Sequence, residues 1–215
     1  MSAYGNIVPI HPRREIRAGK LILDCSGPIH GKWIEKAVFE KHAKVMLYRS
    51  DFRSDEITTL PTHESFSVVS GELRSVLARL KSGISLIVDD LGSLHFHEQP
   101  LDLLKQYYDA LAPDGEAWIR FPNTFWVFLE DSHRVSLSEY LTLKFPLVAK
   151  RLLPSEIDPV LREGISSADG WMLIRKDRLF PRLFFQLLPR SNGGTSSGPD
   201  RPHACYLEFI EKKAA

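Results

Sequence analysis

The chain has 215 residues, 43% hydrophobic and 26% charged, which is the profile of a folded globular chain with a sizeable core and not of a disordered or fibrous one. Its 28 lysines and arginines against 27 aspartates and glutamates leave a formal charge of +1, which removes any bulk electrostatic case for nucleic-acid or membrane binding. Cys25 and Cys205 make neither a disulfide framework nor a CxxC metal pattern, and no apolar run reads as a secretory leader or a bilayer span, so a cytoplasmic protein with free thiols is expected.

Residues 1–19, with Pro9, Pro12 and a basic cluster of Arg13, Arg14 and Arg17, read as an irregular arm, and residues 20–215 as one domain. LILDC (21–25) is a buried strand punctuated by Ser26, Gly27 and Pro28. Residues 32–42 carry Trp33, Ile34, Ala37 and Val38 at helical spacing. Strands are expected at 44–48 and, more weakly, at 66–70. After Gly71, the residues Leu73, Val76, Leu77 and Leu80 recur at i, i+3, i+4 and i+7, an amphipathic helix. ISLIV (84–88) is a strongly apolar strand ending in Asp89-Asp90. Pro100 opens the helix LDLLKQYYDAL, the turn residues Ala112-Pro113-Asp114-Gly115 stop it, and a strand follows at 116–121.

Short apolar strands alternating with amphipathic helices predict a doubly wound, mostly parallel α/β sheet covered on both faces. The rest of the chain changes character. Residues 123–170 read as a helical and aromatic insertion or lid, with Phe125, Trp126 and Phe128 near its start and capping-box spacing from Ser136 to Glu139. Asp158-Pro159 starts a short helix. Strands are expected at 171–175, 183–188 and 205–210, the last two as an antiparallel hairpin around the turn-rich stretch 191–202.

The stretch ISLIVDDLGSLHFHEQPLDLLKQYYDALAPDGEAWIRF (84–121) resembles the class I S-adenosylmethionine-dependent methyltransferase fold. In that family an apolar fourth strand is followed by a Leu-His loop, a helix, an LxPxG turn and a fifth strand. Leu94-His95 and Leu111-Ala112-Pro113-Asp114-Gly115 stand at those places, and the terminal hairpin resembles the family's last two strands. The resemblance implies S-adenosylmethionine as cofactor, with Asp24, Ser26 and Gly27 in the first loop, Asp51 near the ribose, Glu72 near the adenine, and Asp90 facing the methionine end or the substrate. The departures lie in the same parts. Ser26 replaces a glycine, Pro28 removes a backbone N–H, and Arg49-Ser50 stand nearest the position of the ribose acid.

Methyl transfer from an activated sulfonium asks the protein chiefly to position and desolvate, with a base in some enzymes. Asp90, His95 and His97 are the candidates for that base, and the aromatics at 125–128 for an acceptor wall. The acceptor is expected to be a small molecule or a protein. Plainer roles compete throughout. Asp89 and Asp90 also suit turn capping, His95 a packed or solvated histidine, and Cys25 an inert small hydrophobe. No metal site is expected, since His95-x-His97 lacks a third ligand. Asp24 is the strongest single candidate, because a carboxylate ending a buried strand is hard to justify by packing alone.

Two other classes compete. One is a methyltransferase-shaped binding or scaffold domain without catalysis, favoured by the glycine-poor first loop. The other is a haloacid-dehalogenase-like phosphatase with Asp24 as nucleophile, Ser50, Lys81 and Asp89-Asp90. Ser26 stands there in place of that family's second acid, which would supply the general acid and a Mg²⁺ ligand.

Overall fold

The computed structural model describes residues 16–26, 31–49, 63–97, 100–121, 126–128, 134–146, 148–164, 170–176, 190–191 and 207–208. In chain order the elements are β1 (Leu21–Asp24), α1 (Gly31–Phe39), β2 (Lys44–Arg49), β3 (Phe66–Ser70), α2 (Leu73–Arg79), β4 (Ile84–Asp90), α3 (Ser93–Phe96), α4 (Pro100–Ala110) and β5 (Leu111–Arg120). They continue with β6 (Trp126–Phe128), β7 (Arg134–Ser136), α5 (Leu137–Lys144), β8 (Ala149–Arg151), α6 (Pro159–Gly164), β9 (Trp171–Arg175), β10 (Arg190–Ser191) and β11 (Leu207–Glu208).

Seven strands form one sheet in the order β3-β2-β1-β4-β5-β9-β8. Neighbours from β3 to β5 run parallel, β9 runs antiparallel to β5, and β8 runs antiparallel to β9. This is the doubly wound, mostly parallel architecture that the sequence pattern and the family resemblance imply.

Side-chain alternation along each strand feeds two separate cores. Ile22, Val45, Leu86, Val88, Trp118 and Leu173 face α1 and α6, where they meet Trp33, Ile34, Val38, Val160 and Leu161. Leu23, Ile87, Ala117, Ile119, Met172 and Ile174 face α2, α4 and α5, meeting Leu77, Leu104, Tyr107 and Leu141. Burying a side chain of this size removes apolar area worth about 1.5–3 kcal/mol each, so the sheet is held from both sides. The helices form because their apolar positions fall on one stripe: Trp33, Ile34, Ala37 and Val38 on α1, and Leu103, Leu104, Tyr107 and Tyr108 on α4, are all buried.

Local signals are realised in atomic detail. The Ser136 hydroxyl accepts from the Glu139 amide at 3.2 Å, and the Ser136 amide donates to the Glu139 carboxylate at 2.9 Å, completing the capping box of α5. Asp158 opens α6 by accepting from the Val160 amide at 2.8 Å, and its other oxygen accepts from the Ile16 amide at 3.0 Å. The expected 112–115 turn is absorbed into β5 as an irregularity: pairing with β4 passes from Ile84–Leu111 to Leu86–Glu116. Gly115 is required there, because a Cβ would lie 2.8 Å from the carbonyl oxygens of both Ala112 and Ile84.

Three features differ from expectation in placement. Residues 149–151, inside the segment read as an insertion or lid, are an edge strand of the main sheet. In the same segment β6 and β7 pair as a small antiparallel ribbon. The C-terminal antiparallel pairing is present, Arg190 opposite Glu208 and Ser191 opposite Leu207, but as a two-stranded sheet of its own. The antiparallel end of the main sheet is built by β8 and β9 instead, because β9 carries the apolar run WMLIR that both cores need. The strand expected at 183–188, the aromatic Phe125 and most of 191–202 lie outside the described residues.

Candidate functional site at the carboxyl edge of the sheet

β1 sits between β2 and β4, so the connections leaving β1 and β4 diverge to opposite faces, to α1 and to α3–α4. Open α/β sheets bind ligands in the crevice this divergence creates. Strand alternation then sorts the residues at the tips. Asp24, Asp90 and Arg120 continue the α1 side of their strands, while Cys25 and Asp89 continue the α4 side.

On the α1 side the carboxylates are buried and engaged. Asp24, only 1% exposed, accepts from the Ser26 amide at 2.9 Å and so fixes the bend that follows β1. The Ser26 hydroxyl accepts from the Asp90 amide at 3.0 Å, tying that bend to the β4 tip. The Asp90 carboxylate is ion-paired with the Arg120 guanidinium from β5. Held in this pair, Asp90 is placed to fix the strand tip in preference to serving as a base.

On the α4 side a buried polar chain lies directly beneath the loops. The Asp89 carboxylate accepts from the Gly92 amide at 2.8 Å, the Leu94 amide at 2.9 Å and the Tyr107 hydroxyl at 2.7 Å. Burial pushes the Asp89 carboxyl up to about 7, against the opposing pull of these three hydrogen bonds. The Cys25 thiol is hydrogen-bonded to Tyr107, and burial holds both groups well above their ordinary values. Cys25 is accordingly inert, as its sequence context suggests. Asp89 caps the turn, as its plainer role had it. The backbone closes the same junction: the Cys25 amide donates to the Val88 carbonyl and the Ser93 amide to the Cys25 carbonyl, each at 2.8 Å. Between them Leu91 adopts φ 51°, a strained conformation for a leucine.

The tips of β2 and β3 complete the edge. Gly71 adopts φ 109°, which a side chain would resist, and its carbonyl accepts from the Tyr48 hydroxyl at 2.9 Å. That turn delivers Glu72 to the surface, where its carboxylate accepts from the Ser75 hydroxyl at 2.9 Å. Arg49 ends β2 opposite Ser70. Gly27 and Asp51 lie outside the described residues, and His95 is described only as backbone within α3. Among the described residues no group of three or more His, Cys, Asp or Glu could hold a metal ion.

Tyr107 and Arg120 went unremarked in the sequence. A hydroxyl on the apolar stripe of α4 must find a partner when buried, and an arginine continuing an apolar strand marks a charge at its tip. A separate cavity of about 690 Å³ opens at the opposite, amino edge of the sheet, lined by Lys20, Ser85, Glu116 and Trp118 among others. Glu116 there is already engaged, accepting from Trp118 at 3.0 Å and from Arg175 at 3.0 Å.

No protein-family model matches the chain, and no curated protein matches it. Solved structures similar to it include an S-adenosylmethionine-dependent methyltransferase from Mesorhizobium loti, 18% identical with a TM-score of 0.38, over 57% of this chain and 58% of that one. A SAM-dependent methyltransferase from Archaeoglobus fulgidus is 14% identical with a TM-score of 0.47, over 75% of this chain and 88% of that one. A Haemonchus contortus phosphoethanolamine N-methyltransferase in complex with S-adenosylhomocysteine is 15% identical with a TM-score of 0.37, over 48% of this chain and 24% of that one. The chain thus spans little more than half of the first and about a quarter of the last.

Proposed function

We propose that the protein is an S-adenosylmethionine-dependent methyltransferase whose cofactor lies across the β1–β4 crevice. One observation carries this reading: the strand order places its switch at β1 and β4, where Asp24 and Asp90 stand within a fixed turn. A pair of carboxylate acceptors suits a cationic sulfonium and its amino group, and surface-facing Glu72 from the adjacent β3 tip suits the hydroxyl and amine donors of an adenosine. Arg49 does not suit the ribose hydroxyls, so that role stays with Asp51.

When bound, the cofactor supplies a methyl group already activated on sulfur. The protein's work is then positional. Asp24 holds the first turn through the Ser26 amide, and Ser26 locks it to β4 through the Asp90 amide. Arg120 pairs with Asp90 and fixes that carboxylate at the β4 tip. Asp90 and His95 remain the candidates for contact with the acceptor.

A binding module of the same shape is the second reading. It is favoured by the way Asp24, Ser26, Asp90 and Arg120 engage one another. The phosphatase reading loses ground, because Ser26 stands where that family's second acid would be. Calorimetry and thermal shift with S-adenosylmethionine and S-adenosylhomocysteine decide between them. Ligand at about 100 times its Kd raises apparent stability by about 2.7 kcal/mol, a clear rise in Tm. No shift with either ligand favours the binding module, and Mg²⁺-dependent hydrolysis of p-nitrophenyl phosphate would revive the phosphatase.

A further inference from the structure

The chain of groups from Cys25 through Tyr107 to Asp89 is buried beneath the turns that leave β1 and β4. Three donors converge on one carboxylate that has almost no exposure to water. Each donor belongs to a different stretch: Gly92 to the turn after β4, Leu94 to α3, and Tyr107 to α4. The turn they restrain contains the strained Leu91 and is bonded to the β1 loop through the Ser93 amide. Strain of this kind persists only where surrounding bonds over-determine it.

We propose that Asp89 is a positioning residue for the carboxyl-edge site, its ionised carboxylate clamping the β4 turn and, through Ser93 and Cys25, the β1 loop in the arrangement that accepts the cofactor. The binding part of this assignment rests on the methyltransferase reading, and the clamp itself does not.

Among the described residues, the ionisable groups facing Asp89 are few. Asp24 and Cys25 come from the β1 end and Tyr107 from α4, while Asp90 continues the other face of β4. As a carboxylate, Asp89 accepts all three bonds. Taking up one proton from solvent makes one oxygen a donor. The Tyr107 hydroxyl must then reverse, accepting from Asp89 and donating to the Cys25 sulfur. The two amide bonds lose their charge assistance, which is about half their strength. The clamp slackens, and Leu91 is free to relax.

Amide chemical shifts of Gly92 and Leu94 report the clamp directly. In the ligand-free protein both should titrate together with a midpoint near pH 7, the value to which Asp89 is raised. Tyr107→Phe removes a bond that favours the charged form, so the shared midpoint should move to higher pH. Asp89→Asn should abolish the titration. S-adenosylhomocysteine affinity should fall by up to about tenfold per pH unit below the same midpoint, and the midpoint of that fall should follow Tyr107→Phe. Amides that do not titrate in the folded protein overturn the clamp. Titration with an affinity indifferent to pH overturns the positioning role. Titration with no binding at any pH supports the clamp and sinks the methyltransferase reading instead.

Discussion

Asp90 and Arg120 are register partners at the tips of adjacent parallel strands, and their side chains close an ion pair over the end of the sheet. The carboxylate is almost fully buried while the guanidinium is 15% exposed, so Arg120 brings the charge that lets Asp90 stay in the protein interior.

Removing that partner should be costly. Arg120→Ala is expected to lower the unfolding free energy by about 3 kcal/mol, because it leaves an uncompensated buried carboxylate. Urea denaturation measures this. Asp90→Asn combined with Arg120→Ala should recover part of the loss, and a double variant no better than the single one would show that the pair is not the source.

Asp89 predicts a pH dependence of opposite sense to an ordinary acid. An aspartate with an ordinary value of 3.8 is held at about 7 in the fold. A raised folded value means that this group's stabilisation is complete below about pH 4 and is lost as pH climbs through 7, a swing on the order of 4 kcal/mol. Urea unfolding of wild type and Asp89→Asn at about pH 5 and about pH 8 should show the variant gaining on wild type at the higher pH. Parallel behaviour of the two proteins would contradict it.

Gly115→Ala should destabilise the junction of β4 and β5 by about 1–3 kcal/mol, since the added methyl meets two backbone carbonyls that cannot rotate away. Thermal unfolding reads the loss, which should show as a lower Tm with unchanged secondary structure. A neutral substitution would mean that the irregularity in β5 adjusts freely.

Glu72 separates binding from stability. It is exposed and touches Ser75, so Glu72→Ala should leave the unfolding free energy within about 0.5 kcal/mol of wild type. The same change should weaken S-adenosylhomocysteine binding about five- to tenfold, the loss of one hydrogen bond of about 1 kcal/mol. Calorimetry that returns an unchanged Kd would remove Glu72 from the site.

Ser136→Ala should cost about 1 kcal/mol through loss of the α5 cap, measurable by urea unfolding. Ser136→Asp should retain most of the stability, because an aspartate also accepts from the Glu139 amide.

The parallel half of the fold was legible because each of its elements is announced by its own residues: LILD, KVMLY and ISLIV by apolar runs, and α1, α2 and α4 by clean stripes. Gly71 and the Ser136–Glu139 pair marked their turns for the same local reason. β8 was not legible. AKR has three residues and no apolar run, and it becomes a strand only because β9 offers it a partner. At the site, Asp24, Asp89 and Asp90 could be found as acids ending buried strands. What each one does depends on which face it takes and what stands opposite. Arg120 is 30 residues from Asp90, and Tyr107 is 18 from Asp89. No local pattern encodes those distances.

The bond from the Ile16 amide to Asp158 joins positions 142 residues apart, and it sits in the core that α1 shares with α6. Its consequence concerns the order of synthesis. A ribosome-bound chain that has released β1 through β5 has α1 to cover part of this face, but Ile157, Leu161 and Trp171, which share the core with Val88 and Trp118, have not yet emerged. That half-covered sheet is the species a chaperone would meet, and contacts of such long sequence separation set a slow pace for its completion.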